Sequence, residues 1–179
     1  MFARGMIFPG GREPVLQGTD IFLRYPEMSD YKAWAALREQ SREFLAPWEP
    51  VWAPDELSRA AFRRRLRRYR RELRSDLAYP FLVFRKSDEM LMGGCTLSNV
   101  RRGVTQSAAL GYWIGAPYAR HGYMYGALNA MLPFAFKLLG LHRLEAACIP
   151  ENEPSRKLLQ KIGFSEEGRA RRYLQINGE

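Results

Sequence analysis

A stretch of strand-forming residues, Leu110-Gly-Tyr-Trp-Ile114, leads into Ala119-Arg-His-Gly-Tyr-Met124 and then into a long apolar segment. No other feature constrains the fold as strongly. Met124, Leu128, Met131, Leu132, Ala135, Phe136 and Leu139 recur at helical spacing, so the sequence predicts a strand that turns through glycine into a helix. The first-turn amides of such a helix lack intrahelical partners, and the helix dipole places about half a positive charge beside them, which suits a phosphate. Gly122, without a Cβ, permits a tight turn and lets an anion reach the backbone. An ordinary strand-to-helix glycine reads the same way. Arg120 is a permanent cation next to it, and His121 is one only when protonated.

The rest of the chain is organised around this unit. Residues 20–25 alternate as a first strand, ended by Pro26. Ser29 or Asp30 is placed to cap a helix carrying Tyr31, Trp34, Leu37 and Phe44. Pro47 and Pro50 predict an extended segment around Trp48 and Glu49. Pro54-Asp55-Glu56 suits the opening of a further helix, whose Phe62, Leu66, Tyr69, Leu73 and Leu77 form an apolar stripe. Residues 79–85 and 90–100 predict a hairpin, its first strand apolar enough to be central, and residues 107–114 a further strand. Pro133 should kink the long helix and Gly140 end it. A strand over 143–149, a helix over 151–162 stopped by Gly163, and a mainly extended segment over 164–176 complete the pattern. The expected fold class is α+β, a mixed and mostly antiparallel twisted sheet flanked by helices. It forms a single domain over residues 20–179 behind an N-terminal arm, residues 1–19.

Composition narrows the class. The 179 residues allow one domain with a sizeable core, and 46% hydrophobic with 26% charged residues is ordinary globular usage. No apolar run approaches the ~20 residues needed to cross a bilayer. The first 14 residues, broken by Arg4, Pro9, Gly10 and Gly11, do not read as a signal peptide, and a cytoplasmic protein is expected. Cys95 and Cys148, flanked by apolar residues, read as buried free thiols, with a single bridge as the alternative. His121 and His142 are the two histidines and Cys-x-x-Cys is absent, so no metal site is expected. The net charge of +9 is concentrated on one predicted helix, with arginines at 59, 63, 64, 65, 67, 68, 70, 71 and 74. That helix reads either as a solvated face on a docked element or as a contact for RNA or another polyanion.

The turn at residues 119–124, Asn152-Glu-Pro-Ser155 and Gly163-Phe164 together resemble the GNAT superfamily of acyl-CoA-dependent N-acetyltransferases. Its pyrophosphate loop runs roughly Gln/Arg-x-x-Gly-x-Gly/Ala, and its later helix Asn-x-x-Ala/Ser followed by Gly-Phe. Phe44-Leu-Ala-Pro-Trp-Glu-Pro-Val51, Leu97-Ser-Asn-Val100, Leu141-His-Arg143 and Tyr173-Leu-Gln-Ile-Asn-Gly178 resemble its RimJ/RimL branch, RimJ above all. That branch acetylates N-terminal amines of ribosomal proteins. The resemblance covers about residues 20–179. Ala119 and Met124 depart from the loop pattern, and Leu159 stands where many members carry a tyrosine. Members of the branch continue past Asn-Gly into a further strand, so a trimmed chain or a short sheet edge is expected at Glu179.

The resemblance implies acetyl-CoA as cosubstrate, bound by Trp113, Ile114, Ala119, Arg120, His121, Gly122, Tyr123, Met124, Asn152 and Ser155. At Trp113 and Ile114 the family splays two strands apart so that pantetheine pairs with backbone on the exposed edge; core packing is the alternative for the Trp113 side chain, and helix capping for Asn152 and Ser155. Ser155 is the expected catalytic residue, a donor to the leaving thiolate, with Tyr123 or Tyr125 behind it. Glu49, Glu145 and Glu151 are candidates to orient the acceptor, Glu49 first, with Trp48 lining a peptide groove. The implied reaction is direct attack of a neutral amine through a tetrahedral intermediate. An α-amine of pKa about 7.7–8.0 is roughly a tenth to a third neutral at about pH 7–7.4, whereas a lysine of pKa about 10.4 costs roughly 4 kcal/mol to deprotonate there. With no obvious base, an N-terminal amine is the expected acceptor, and the resemblance implies that of a ribosomal protein. A small-molecule amine, or a non-catalytic CoA- and RNA-binding role, are the alternatives. Ribosomal RNA contact through the arginine helix and a monomer or weak dimer are expected.

Overall fold

In the computed structural model, which describes residues 14–173, six strands form one sheet in chain order. They are β1 (Leu16–Gln17), β2 (Ile21–Arg24), β3 (Tyr79–Arg85), β4 (Leu91–Arg101), β5 (Ser107–Ile114) and β6 (Arg143–Glu145). All neighbours pair antiparallel except β5 and β6, which run parallel. The helices are α1 (Tyr31–Gln40), α2 (Arg42–Leu45), α3 (Arg59–Arg74), α4 (Tyr123–Pro133) and α5 (Glu153–Lys161).

Side-chain alternation divides the sheet into two buried faces. Tyr79, Phe81 and Val83 join Met124, Leu128 and Met131 of α4 in the larger cluster. Leu82 and Phe84 pack with Trp34 and Leu37 of α1 and with Phe62 and Leu66 of α3. β3 is therefore covered on both sides, as its continuous apolar run requires. Pro133 removes a backbone donor, and the chain beyond it widens into a π-helical turn over Phe134–Leu138. Gly140, at φ 64°, ends the helix, and the Leu141 N–H closes on the Ala135 carbonyl at 3.0 Å. Among the described residues no helix is long and apolar enough to cross a membrane.

Several boundaries differ from the sequence-based expectations, each for a local reason. Neither Ser29 nor Asp30 caps α1 through its side chain. The Asp30 carboxylate instead accepts from Arg24 at 2.6 and 2.9 Å and from the Glu27 N–H at 2.7 Å. Pro47 lies in a 3-10 turn, Ala46–Trp48, and extension starts only at Glu49. α3 opens at Arg59, not at Pro54, because the Ser58 hydroxyl accepts the Ala61 N–H at 3.1 Å. Asp55 and Glu56, in the turn before it, pair with Arg64 and Arg65. β6 stops at Glu145, so Cys148 is not in a strand; both cysteines are free. No strand forms over residues 164–173, where Glu166 and Glu167 tie the chain to Arg156 and Arg143 by side chains. Residues 174–176 of that expected strand lie outside the described residues. Of the expected arm, Leu16 and Gln17 pair with Leu23 and Phe22, while residues 1–13 lie outside the described residues.

Candidate active site

The site is built on a strand that loses one neighbour. β5 pairs with β4 over its length but with β6 only at Ser107, Ala108 and Ala109. From Leu110 to Ile114 its second edge has no strand partner among the described residues. The Gln106 carbonyl accepts the Arg143 N–H on that edge at 3.2 Å, while Gly115 donates to the Met92 carbonyl on the other at 2.8 Å. With a backbone period of two, the polar groups of Leu110, Tyr112 and Ile114 face the open edge. Those of Trp113 face β4. Of the two residues expected to offer backbone to the cosubstrate, Ile114 has a free edge and Trp113 does not.

The turn beyond β5 is tied down and then strained. The Ala116 N–H donates at 2.9 Å to the hydroxyl of Ser41, a buried residue just beyond the end of α1. Arg120 and Gly122 then adopt left-handed backbone, at φ 65° and 82°. A Cβ at 122 would meet nothing within 4 Å, so the conformation, not packing, calls for glycine, and the space before it is open. The first intrahelical bond of α4 runs from the Gly126 N–H to the Gly122 carbonyl at 3.0 Å. Among the described residues the amides of Tyr123, Met124 and Tyr125 are thus the unpaired first-turn donors. The Met124 side chain is buried, with its sulfur 3.4 Å from that of Cys95, so only its N–H is available. Both backbone groups of Ala119 are engaged, its N–H with Ala116 at 3.3 Å and its carbonyl with His121 Nδ1 at 2.8 Å. His121 therefore presents Nε2, an acceptor in the neutral ring and a donor once protonated. Arg120 is exposed beside the turn. A left-handed glycine, three free amides and a guanidinium fit a diphosphate.

On the α4 side of the sheet, Asn152 caps α5, its Oδ1 accepting the Ser155 N–H at 3.1 Å. Its NH₂ group is not used by the cap. The Ser155 hydroxyl lies 2.7 Å from the phenol of Tyr112. Burial pushes that phenol up to about 12, so it stays protonated at neutral pH and either hydroxyl can be the donor of the pair; with the phenol donating, the serine hydrogen is free to point elsewhere. Tyr112 escaped the sequence reading: alternation marks it as another strand residue, and its partner is 43 positions away. Leu159 is buried, while Tyr125 lies on the surface under Lys161, whose Nζ is 4.6 Å from its ring.

The opposite face of β5 borders a cavity of about 320 Å³ whose walls include Trp34, Arg38, Glu49, Trp52, Tyr69 and Trp113. The Trp113 indole has room there because residue 94 is glycine; a Cβ would come within 2.6 Å of the indole nitrogen. Arg38 is 7% exposed and grips Glu49 through both terminal nitrogens, at 2.7 and 2.5 Å. Its guanidinium lies 4.3 Å from the Trp52 ring and 5.0 Å from that of Trp113. Trp52 Nε1 donates to Glu49 at 2.9 Å. The structure thus brings Glu49 to the cavity, with three donors already on its carboxylate and one lone-pair site left. Trp48 is not part of the wall. Glu145 pairs with Arg143 at 2.9 Å, and neither it nor Glu151 lines the cavity. Arg38 was missed in the sequence, although it shares with Trp34, Leu37 and Ser41 the i, i+3, i+4, i+7 face that α1 buries.

Tyr112 and Trp113, as strand neighbours, point to opposite faces. The open edge of β5 consequently has a hydroxyl pair on one side and, on the other, an aromatic cavity that holds the Arg38–Glu49 pair. Among the described residues no group of histidine, cysteine, aspartate or glutamate is arranged to hold a metal ion.

Residues 20–165 match the family described as Acetyltransferase (GNAT) domain. The chain is 34% identical over 164 residues to "Probable N-acetyltransferase YjcK" of Bacillus subtilis, covering 92% of this chain and 91% of that protein. It is 33% identical over 152 residues to the [ribosomal protein uS5]-alanine N-acetyltransferase of Escherichia coli, covering 84% and 78%. Mycobacterium smegmatis RimJ, solved in complex with CoA-disulfide, superposes with a TM-score of 0.85 at 33% identity, over 93% of this chain and 81% of that one. The chain belongs to the GNAT acetyltransferase family. Within it the chain stands in the RimJ/RimL branch, and it is an acetyl-CoA-dependent N-acetyltransferase.

Proposed function

We propose that the chain transfers the acetyl group of acetyl-CoA to the N-terminal α-amine of a ribosomal protein, in a cytoplasmic setting. The observation that carries this reading is the open edge of β5, with Ser155 on one face and the Arg38–Glu49 cavity on the other. The Escherichia coli relative, named for the alanine of ribosomal protein uS5, supports the acceptor class. The amides of Tyr123, Met124 and Tyr125, with Arg120, hold the diphosphate, and the free backbone groups of Leu110, Tyr112 and Ile114 align the arm that ends in the thioester. The acceptor enters from the cavity as a neutral amine, oriented by Glu49 in its Arg38 clamp. An open-edge N–H of β5 takes the charge developing on the carbonyl oxygen, where a preorganised donor is most effective. Tyr112 donates to Ser155, and Ser155 hydrogen-bonds the leaving thiolate on the face opposite the amine; the proton that the acylated nitrogen sheds leaves through water, and the thiolate is protonated to the free thiol in turn.

The test is competition at pH 7 between a peptide starting with alanine and an N-blocked peptide carrying one lysine, read by mass spectrometry. The α-amine should react roughly 200- to 400-fold faster, from its larger neutral fraction, and kcat/KM should rise about tenfold per pH unit below about pH 7.5. A small-molecule amine is the second reading, favoured by the modest cavity; polyamines or free amino acids outpacing every peptide would establish it instead.

The hydroxyl pair makes its own prediction. Ser155→Ala should lower kcat about 10- to 100-fold, and Tyr112→Phe about tenfold, with KM for acetyl-CoA little changed. The double variant should be no slower than Ser155→Ala, because the two act in series. Multiplicative losses would separate the two roles. A ribosomal acceptor also gives the Arg59–Arg74 helix a use, contact with ribosomal RNA, and is compatible with a monomer or weak dimer.

A further inference from the structure

We infer that one flank of α3 is a docking surface for the phosphate backbone of structured RNA, holding the enzyme on a ribonucleoprotein while a protein terminus enters the cavity. The second clause rests on the acceptor proposed above; the RNA contact does not. Three of the nine arginines on α3 are engaged: Arg64 with Asp55 at 2.5 Å, Arg65 with Glu56, and Arg68 with Glu72 at 3.7 Å. The other six, at 59, 63, 67, 70, 71 and 74, are exposed and have no acidic partner among the described residues.

At about 100° per residue these six fall within an arc of about 120° and form a row about 22 Å long. Phe62, Leu66, Tyr69 and Leu73 occupy the neighbouring arc, turned to the sheet, and Arg65 and Glu72 lie beyond it, so the cavity and the row sit on opposite flanks. Pairs 59–63, 63–67, 67–71 and 70–74 are like charges four apart, which destabilise a helix. A merely solvated face, with opposite charges interspersed, carries no such cost. The row contains no lysine and no large apolar side chain. A lipid surface would need the apolar face of the helix, which the sheet already buries. A protein partner would need an apolar or aromatic centre, which the row lacks. Nucleic acid needs neither: a duplex offers about one phosphate per 1.7 Å of axis, and the planar guanidinium matches phosphate geometry. The row also lies away from the peptide entrance, so it does not repel a basic terminus there.

The experiment uses the full chain and a fluorescent RNA duplex of about 20 base pairs, with anisotropy measured from about 50 to 300 mM KCl. Arg63→Gln, Arg67→Gln, Arg70→Gln and Arg74→Gln combined should reduce the slope of log affinity against log salt by about 3 to 4 and weaken binding at about 100 mM salt at least 30-fold. Acetylation of a free peptide should be unchanged, because none of the four touches the cavity. An unchanged slope, or polyglutamate displacing the wild-type protein as well as RNA does, overturns the inference, the latter in favour of an acidic protein. RNA binding is read without acetyl transfer, so intact binding with no peptide turnover supports this surface and rejects only the acceptor.

Discussion

Replacing Gly122 by valine should lower kcat/KM for acetyl-CoA by about 100-fold or more while the protein stays folded. Two separate effects are at work, and their sizes differ. Residue 122 sits at φ 82°, where an L-residue costs about 1–2 kcal/mol and a β-branched one more. The new side chain meets nothing within 4 Å, so no packing term adds to this, and the melting temperature should fall by only about 2–8 °C. The larger effect is on binding. The valine methyls would stand in the open space before the amides of Tyr123, Met124 and Tyr125 and hold a diphosphate off them. Charge-assisted hydrogen bonds contribute about 1.5–3 kcal/mol each, so losing two already reaches 100-fold. Gly122→Ala should fall between the two proteins. Calorimetric titration with CoA beside a melting curve separates binding from folding. CoA affinity within about threefold of wild type in Gly122→Val would place the phosphates elsewhere.

This turn was also the most legible part of the chain, for a physical reason. Strand, glycine and apolar helix follow one another in sequence, and their geometry is fixed by local backbone constraints. The bounds of β5 were readable on the same grounds, and so was an irregularity at Pro133, which takes the form of a π-helical turn beyond it. What sequence hid are contacts between distant positions. Tyr112 and Ser155 are 43 residues apart, and nothing about either residue alone says that the phenol completes the serine. Arg38 looked like one more polar position on α1, although it sits on the buried face, because a charged side chain is expected in water unless its partner is known. Glu49 was singled out for the substrate, yet its carboxylate is largely occupied by Arg38 and Trp52. The open edge of β5 was anticipated only through family resemblance. Whether β6 runs to residue 149 or stops at Glu145 depends on a neighbouring strand, and local propensity carries no information about that.

Glu49→Gln should destabilise the protein by about 3 kcal/mol and lower its melting temperature by about 6–12 °C. The Arg38 side chain is 8% exposed and that of Glu49 23%, and removing one member of a buried pair costs about 3–5 kcal/mol because the other charge is left uncompensated. The partial exposure of Glu49 favours the low end of that range. Glutamine still offers one oxygen, to Trp52 or to one guanidinium nitrogen, but it does not neutralise Arg38 between the indoles of Trp52 and Trp113. With the cavity wall loosened, KM for the peptide should rise more than kcat falls. Stability alone does not say whether Glu49 also meets the incoming amine. A paired replacement does: Arg38→Met with Glu49→Leu removes both charges at similar volume, and such swaps are often neutral or stabilising. The double variant should regain most of the lost melting temperature and still fail to acetylate peptides. If it recovers both, the clamp only holds the fold together, and the amine must be oriented by groups outside the Arg38–Glu49 pair.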